Sequence, residues 1–200
     1  MKKFVRVEPT DTHVVGDKFK AANLYMLAPG NSFTYYGEEI GIEAPNTTND
    51  ASYRTAMIWD NENLPDIEVP GVASVEPNEL GGVEQQLKDE HSMLNHYRKL
   101  IKLRLQNPEI ARGDIFDVMT SDVNTCAGII IDYNDSRVIV IHNVGEEAQE
   151  ITLTDQLTDP ELRGWTAADL AAEPITETPK LDGDTLTVPA RTSVVLKGTK

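Results

Sequence analysis

Hydrophobic positions follow a helical period in the first half of the chain and an alternating period in the second half. Two segments carry the helical pattern, residues 17–28 and residues 92–106. Pro29-Gly30 and Asn107-Pro108 predict where these two helices end. His96 falls on the polar side of the second helix, so we expect it at the surface. The predicted apolar stripe of that helix is Leu94, Tyr97, Ile101 and Leu105, widened by Met93, Leu100 and the aliphatic stem of Arg104.

From about residue 114, short β-favouring runs alternate with turn sequences such as residues 132–136 and 143–146. Regularly spaced strands with turns between them are typical of an antiparallel sandwich. The predicted strands are residues 115–119, 125–131, 137–142, 150–153, 185–188 and 192–196.

Residues 33–41 read Phe-Thr-Tyr-Tyr-Gly-Glu-Glu-Ile-Gly and combine a β-favouring run with two adjacent carboxylates. The first four of these residues, 33–36, predict a short strand. If Glu38 and Glu39 continue that strand, their side chains point to opposite faces and cannot flank one bond. Residues 43–82 are rich in Pro, Asn, Gly and acidic residues with little periodicity, which predicts a long loop.

Composition excludes several classes of function. The 33 acidic and 18 basic side chains give a formal charge of −15, which opposes binding to nucleic acid. No apolar run is long enough for a signal peptide or a membrane span, so we expect a cytoplasmic protein. Cys126 is the only cysteine, which excludes an internal disulfide, and its apolar surroundings predict a buried thiol. The four histidines lack metal-ligand spacing, and we expect neither a metal nor a cofactor.

The motif at residues 33–41 resembles the eighth barrel strand of α-amylase family glycosidases, the family 13 glycoside hydrolases. Residues 54–60, Arg-Thr-Ala-Met-Ile-Trp-Asp, resemble the Arg-Thr-Pro-Met-x-Trp-Asp loop of the oligo-1,6-glucosidase and α-glucosidase branch, with Ala56 where proline is usual. Residues 83–104 are similar to the segment and last barrel helix that follow. Residues 186–196 are similar to the closing strands of the family's C-terminal β domain.

The resemblance implies an α+β fold. Residues 1–110 are expected to be a remnant of a (β/α)8 barrel, namely its last strand and helices with a long loop. Residues 111–200 are expected to form the amylase-type C-terminal antiparallel β-sandwich, which is noncatalytic in the family.

No catalytic residue of the family is assigned to this chain. The family's three catalytic carboxylates lie after strands four, five and seven, and residues 8–13 hold similar residue types in the wrong order. The resemblance implies that Glu39 and Arg54 lie near the leaving-group side of the substrate and bind sugar hydroxyls. The alternative is that they form a surface ion pair. We expect Trp59 to pack under its loop rather than to stack on a sugar.

Two hypotheses follow. In the first, the chain is the C-terminal part of a glycosidase that cleaves α-glucosidic bonds in oligosaccharides with retention, because the 32 residues before the motif cannot hold seven barrel strands. Such a part would be inactive alone. In the second, it is a noncatalytic binding or assembly module derived from such an enzyme. In either case the strand at 33–36 lacks its barrel neighbours, so we expect it to be rebuilt, covered by helices, or paired between chains through self-association.

Overall fold

The computed structural model describes residues 15–43, 54–67, 74–121, 124–153, 156–167 and 177–199. Helices and loops occupy the first half of these residues. The helices are α1 (Val15–Met26), α2 (Val83–Gln86), α3 (Met93–Gln106) and α4 (Pro108–Arg112), and a 3-10 turn spans Glu38–Ile40. Pro108 both ends α3 and begins α4, because proline has no N–H to donate and therefore suits the first turn of a helix.

Eight strands form two antiparallel sheets in the second half of the described residues. The larger sheet has the order β1-β2-β3-β8-β5, and the smaller sheet has the order β4-β7-β6. The strands are β1 (Asp114–Thr120), β2 (Cys126–Tyr133), β3 (Ser136–Asn143), β4 (Gln149–Thr152), β5 (Thr158–Ala167), β6 (Lys180–Asp182), β7 (Thr185–Val188) and β8 (Thr192–Thr199). The six predicted strands are therefore confirmed, whereas β5 and β6 had no clear signal in the sequence.

The larger sheet is covered on both faces, so the fold has three layers. One face packs against the smaller sheet through alternate residues that include Ile139, Ile141, Val194 and Leu196. The intervening residues pack against α1 and α3 on the other face, and they include Ile131, Val138, Val140 and Val195. Alternation along a strand therefore supplies both cores from the same strands. Cys126 is buried between the two sheets, as predicted.

The buried face of α3 differs from the predicted stripe. Tyr97 is buried as expected, but Ile101 is 43% exposed and Leu105 is 77% exposed. The helix buries Met93, Leu100 and Arg104, which widen the predicted stripe, and also Leu103 and His96, which were not predicted to be buried. The surface position predicted for His96 is wrong because its ring accepts or donates a hydrogen bond with Asn23 on α1, 2.8 Å away, and packs edge-on against Phe19. A count of apolar residues alone cannot find a face that polar contacts help to define.

Arg104 fixes the chain where α1 ends. Its buried guanidinium donates hydrogen bonds to the carbonyl oxygens of Met26 (2.6 Å), Ala28 (2.9 Å) and Gly30. These carbonyls belong to the end of α1 and the bend after it, so one side chain on α3 sets the direction in which residues 31–41 leave the helix.

Residues 33–36 do not form the predicted strand. Residues 31–35 have no regular secondary structure, and a turn begins at Tyr36. A strand requires neighbours that complete its ladder of hydrogen bonds, whereas the hydrogen bonds of Thr34 are with Tyr25 and Met26 on helix α1. The segment has a β-favouring sequence but is not paired in a sheet within the described part of the chain.

A buried charge cluster joins α4 to the larger sheet. The carboxylate Oε1 of Glu109 accepts hydrogen bonds from Lys197 Nζ on β8 (2.5 Å) and Ser136 Oγ on β3 (2.6 Å). Burial raises the pKa of Glu109, but the hydrogen bonds from Lys197 and Ser136 outweigh that effect and lower it overall. The cluster therefore holds an ionised carboxylate between the helical layer and the sheet.

Acid should destabilise the fold through its buried histidines. Burial lowers the pKa of His142 to about 4, and burial together with the charge of Lys99 lowers the pKa of His96 to about 4. An unfolded histidine has a pKa of about 6.5, so the stability contributed by each neutral buried histidine should be fully present above that pH. The free energy of unfolding should then fall by about 3 kcal/mol per histidine as the pH drops toward 4. Urea unfolding between pH 4 and 8 measures this slope. At about pH 5, His96→Gln should reduce proton uptake on unfolding by about one.

Replacing Arg104 by lysine should be costly although the charge is kept. A lysine ammonium cannot reproduce the planar fork that reaches three carbonyl oxygens, so we expect the free energy of unfolding to fall by about 2–3 kcal/mol. Arg112→Lys, at the exposed end of α4, is the matched control and should change stability little. Equal effects in both variants would contradict the role given to Arg104.

Candidate sugar-binding site

The two adjacent carboxylates lie in a tight turn rather than on a strand. Residues 37–41, here called the Glu–Glu turn, place the 3-10 segment Glu38–Ile40 between Gly37 and Gly41. Both glycines have left-handed backbone angles, with φ of 90° and 70°. The turn is closed by hydrogen bonds from Gly41 N to Glu38 O (3.0 Å) and from Ile42 N to Gly37 O (2.9 Å). The expected strand alternation of the two carboxylates is therefore wrong, since this backbone curls.

Hydrogen bonds from the same part of the chain hold each carboxylate. Glu38 Oε2 accepts from Tyr35 N (3.0 Å) and from the hydroxyl of Tyr25 (3.3 Å). Glu39 Oε2 accepts from Gly37 N (2.8 Å), and its side chain is half-buried. Glu39 therefore has a fixed orientation and still reaches solvent.

Glu38 is hydrogen-bonded to Tyr25 on α1, which is in turn hydrogen-bonded to Tyr97 on α3. The hydroxyls of the two tyrosines lie 3.1 Å apart. Burial raises the pKa of Tyr97 far above its usual value, and the hydrogen bond with Tyr25 and the nearby carboxylates add to the increase. Both phenols therefore stay protonated and act as donors. The sequence contained no signal that these tyrosines meet the motif, because they are 13 and 59 residues away from Glu38 in opposite directions.

Tyr36 connects the Glu–Glu turn to residues 54–60, here called the Arg54 loop. Its hydroxyl donates a hydrogen bond to the carbonyl oxygen of Thr55, 2.9 Å away. Burial raises the pKa of Tyr36, and the positive charge of Arg54 opposes the increase. The side chain of Arg54 is exposed. The structure thus brings the two segments that carry Glu39 and Arg54 together through one phenol.

Trp59 points to solvent, which corrects the expectation that it packs under its loop. Its side chain is 64% exposed, whereas the preceding Ile58 is buried. The backbone decides this orientation, since Ile58 O and Trp59 O accept hydrogen bonds from Val83 N (3.1 Å) and Glu84 N (2.9 Å) at the start of α2. Gly82 allows this approach because a Cβ there would lie 3.0 Å from the Trp59 carbonyl oxygen.

Exposed aromatic rings surround the two segments. Phe33 is 83% exposed, and the rings of Tyr35 and Tyr36 lie side by side with centroids 4.7 Å apart. Together with the exposed Trp59 they provide flat apolar groups on the same two segments that carry Glu39 and Arg54. Such a combination can bind a sugar through stacking on its ring and hydrogen bonds to its hydroxyls.

Other kinds of site find no support in the residues that the structure describes. Among them, no group of three or more His, Cys, Asp or Glu side chains is arranged to hold a metal ion. None of the described helices has the length and apolar character needed to cross a membrane.

Comparison with known families identifies the chain. The model of the α-amylase catalytic domain matches residues 6–113, which is more than half of the chain. The chain belongs to the α-amylase family. A second model, the C-terminal domain of the α-amylase SusG, matches residues 130–195.

Relatives of this α-amylase family chain are much longer than the chain itself. It is 30% identical over 148 residues to α-amylase SusG of Bacteroides thetaiotaomicron, covering 70% of this chain and 21% of the relative. It is 28% identical over 125 residues to the amino acid transporter heavy chain SLC3A2 of Oryctolagus cuniculus, covering 62% of this chain and 22% of the relative. The chain therefore spans about a fifth of the length of these two relatives.

A solved structure confirms the predicted fold class. Eubacterium rectale Amy13B superimposes with a TM-score of 0.77 at 25% identity, covering 92% of this chain and 35% of that chain. The chain has the fold of one part of an α-amylase family protein, namely the end of the barrel followed by the β-sandwich.

Alanine at Gly41, the second glycine of the Glu–Glu turn, should show why glycine is needed there. Gly41→Ala adds a Cβ only 2.7 Å from Leu80 Cδ1 in a left-handed backbone, so it should combine strain with a steric clash. Gly183→Ala is the matched control, since Gly183 is also left-handed but a Cβ there meets nothing within 4 Å. We expect a loss of about 1 kcal/mol in unfolding free energy for the control and about 2–4 kcal/mol for Gly41→Ala. Equal losses would show that the clash with Leu80 is relieved at no cost.

Proposed function

We propose that this chain forms one wall of the substrate site and the C-terminal β domain of a glycosidase that hydrolyses α-glucosidic bonds in oligosaccharides with retention. The observation that carries the proposal is the Tyr36 hydrogen bond to Thr55, which joins the Glu–Glu turn to the Arg54 loop in a chain of the α-amylase family. The Arg54 loop supports assignment to the α-glucosidase branch of that family, because it resembles the loop of those enzymes.

Glu39 and Arg54 bind sugar hydroxyls in this proposal. Oε2 of Glu39 accepts a hydrogen bond from Gly37 N. Within the described part of the chain its other oxygen, Oε1, has no hydrogen-bond partner and can accept from a hydroxyl of the sugar. Arg54 lies on an exposed loop whose backbone is fixed at Thr55 and at Ile58. A charge-assisted hydrogen bond of this kind contributes about 1.5–3 kcal/mol.

Catalysis itself requires groups that we do not assign to these 200 residues. Retaining hydrolysis needs a nucleophilic carboxylate and an acid/base carboxyl about 5–5.5 Å apart across the scissile bond. Glu38 is engaged by Tyr25 and Tyr35, and Glu39 by Gly37, so both carboxylates of the turn serve its own structure. We therefore propose that the isolated chain binds α-linked oligosaccharides without cleaving them.

Calorimetric titration with maltotetraose and turnover of p-nitrophenyl α-glucoside test this proposal together. We expect no turnover and a weak interaction that Glu39→Gln or Arg54→Met weakens by about tenfold, the equivalent of one charged hydrogen bond. Glu150→Gln on β4 and Arg112→Met on α4 are matched exposed controls outside the site and should leave binding unchanged. Turnover by the pure protein that Glu39→Gln abolishes would contradict the proposed role, as would binding that neither site variant alters.

A noncatalytic assembly module is the second candidate, and the similarity to a transporter heavy chain favours it. In that case the exposed aromatic surface around Phe33 and Trp59 would contact protein rather than sugar. Self-association through residues 31–36 is one form of such a contact. Size-exclusion chromatography with light scattering would show a dimer that Phe33→Ser converts to a monomer, whereas a monomeric wild type excludes this form.

A further inference from the structure

We propose that Asn78 and Gln86 are positioning residues for the candidate sugar-binding site, holding Glu39 in place relative to the Arg54 loop. The inference deepens the proposed function and rests on it. Neither residue touches a sugar in this proposal. Both act through the backbone of the Glu–Glu turn.

The two side-chain amides clamp two carbonyl oxygens. Gln86 Nε2 donates to Ile40 O (2.8 Å) and Gly81 O (2.9 Å), and Asn78 Nδ2 donates to the same two oxygens at 2.7 Å and 2.9 Å. An amide NH2 has two donors and a carbonyl oxygen has two lone pairs, so four donors meet four acceptor sites. Gln86 is 1% exposed and Asn78 is 7% exposed, so water does not replace these bonds easily.

One clamped carbonyl belongs to the residue directly after Glu39. The Glu–Glu turn is flanked by Gly37 and Gly41, whose backbones have wide conformational freedom, so its own sequence does not fix its orientation. The clamp on Ile40 O sets the peptide plane between Ile40 and Gly41. Lys18 Nζ adds a hydrogen bond to the next carbonyl, Gly41 O, at 3.0 Å. The direction of the Glu39 side chain follows from these fixed planes.

The same clamp extends to the Arg54 loop. Asn78 exchanges two hydrogen bonds with the side chain of Asn61, since its N donates to Asn61 Oδ1 (3.1 Å) and its O accepts from Asn61 Nδ2 (2.7 Å). Asn61 directly follows Asp60, the last residue of the loop, and Asp60 Oδ1 accepts from Gln85 Nε2 (2.6 Å). The other clamped carbonyl belongs to Gly81, which directly precedes Gly82, the glycine packed against the backbone of Trp59.

The other end of Gln86 is fixed to α3. Its Oε1 accepts a hydrogen bond from Leu94 N (3.0 Å) in the first turn of that helix, where a backbone donor has no partner within the helix. The position of Gln86 is thus set by the longest helix of the described chain, and its amide transmits that position to the turn. Three segments, namely the Glu–Glu turn, the Arg54 loop and α3, meet at these two carboxamides.

Removing one of the two side-chain amides tests the proposal when it is compared with the removal of a similarly buried amide in another part of the molecule. Asn78→Leu keeps the side-chain size and removes the donors. Asn143→Leu is the control, because buried Asn143 also donates to three carbonyls (Glu147, Val188 and Pro189) but lies in the sandwich. We expect both variants to lower the melting temperature by a similar amount. Only Asn78→Leu should shift the backbone amide NMR resonances of Gly37, Glu39 and Thr55 and weaken maltotetraose binding, by about tenfold.

Gln86→Met is the second variant, since it keeps an unbranched side chain and should give the same pattern if Asn78→Leu does not fold. Unchanged resonances in the Glu–Glu turn, together with unchanged sugar affinity at the same loss of melting temperature as Asn143→Leu, would overturn the proposal. If the wild type does not bind maltotetraose, the proposed function fails, and the resonances of Gly37 and Glu39 still decide whether the amides position the turn.

Discussion

Burial of one sheet on both faces is the constraint on which the rest of the structure depends. The strands at the centre of the larger sheet, β3 and β8, alternate between a core shared with the smaller sheet and a core shared with α1 and α3. Neither layer can be removed without exposing half of the side chains on these strands to water. The helices are held on the sheet by this burial, and the Glu–Glu turn is held by the helices. The position of the candidate site therefore depends, through the helices, on the alternation of buried side chains along β3 and β8.

The sequence predicts the parts of this fold whose pattern is local. Strands β2, β3 and β8 are visible because several β-branched residues follow one another in each. Strand β5 was not predicted because Pro160 and Gly164 interrupt its β-favouring sequence. Both residues are tolerated because of where β5 lies relative to segments distant in the chain. As an edge strand, β5 can lose a backbone donor at Pro160. At Gly164, a Cβ would lie 2.7 Å from Leu103 Cδ1 on α3. The same limit explains α3, whose buried face includes His96 and Arg104 because of partners far away in the chain.

The candidate site divides in the same way. Its residues are recognisable as a motif, and the resemblance of that motif to the family allows Glu39 and Arg54 to be named as candidates. Its geometry is not recognisable, because the curl at Gly37, the tyrosines below Glu38 and the outward turn of Trp59 depend on contacts between segments. Within the described part of the chain, the predicted strand at 33–36 has no strand beside it and leads into a turn from Tyr36. Family membership was thus accessible from the sequence, whereas the orientation of each side chain was not.

The ionised Glu109 beneath Lys197 and Ser136 has a consequence for how this molecule unfolds. Separating the helical layer from the sheet would expose the shared apolar core to water and break the contacts of Glu109 with Lys197 and Ser136. A partially open state with an intact sandwich and detached helices is therefore disfavoured. We therefore expect the two halves to unfold as one cooperative unit, so that the β domain determines how long the Glu–Glu turn and the Arg54 loop keep their arrangement.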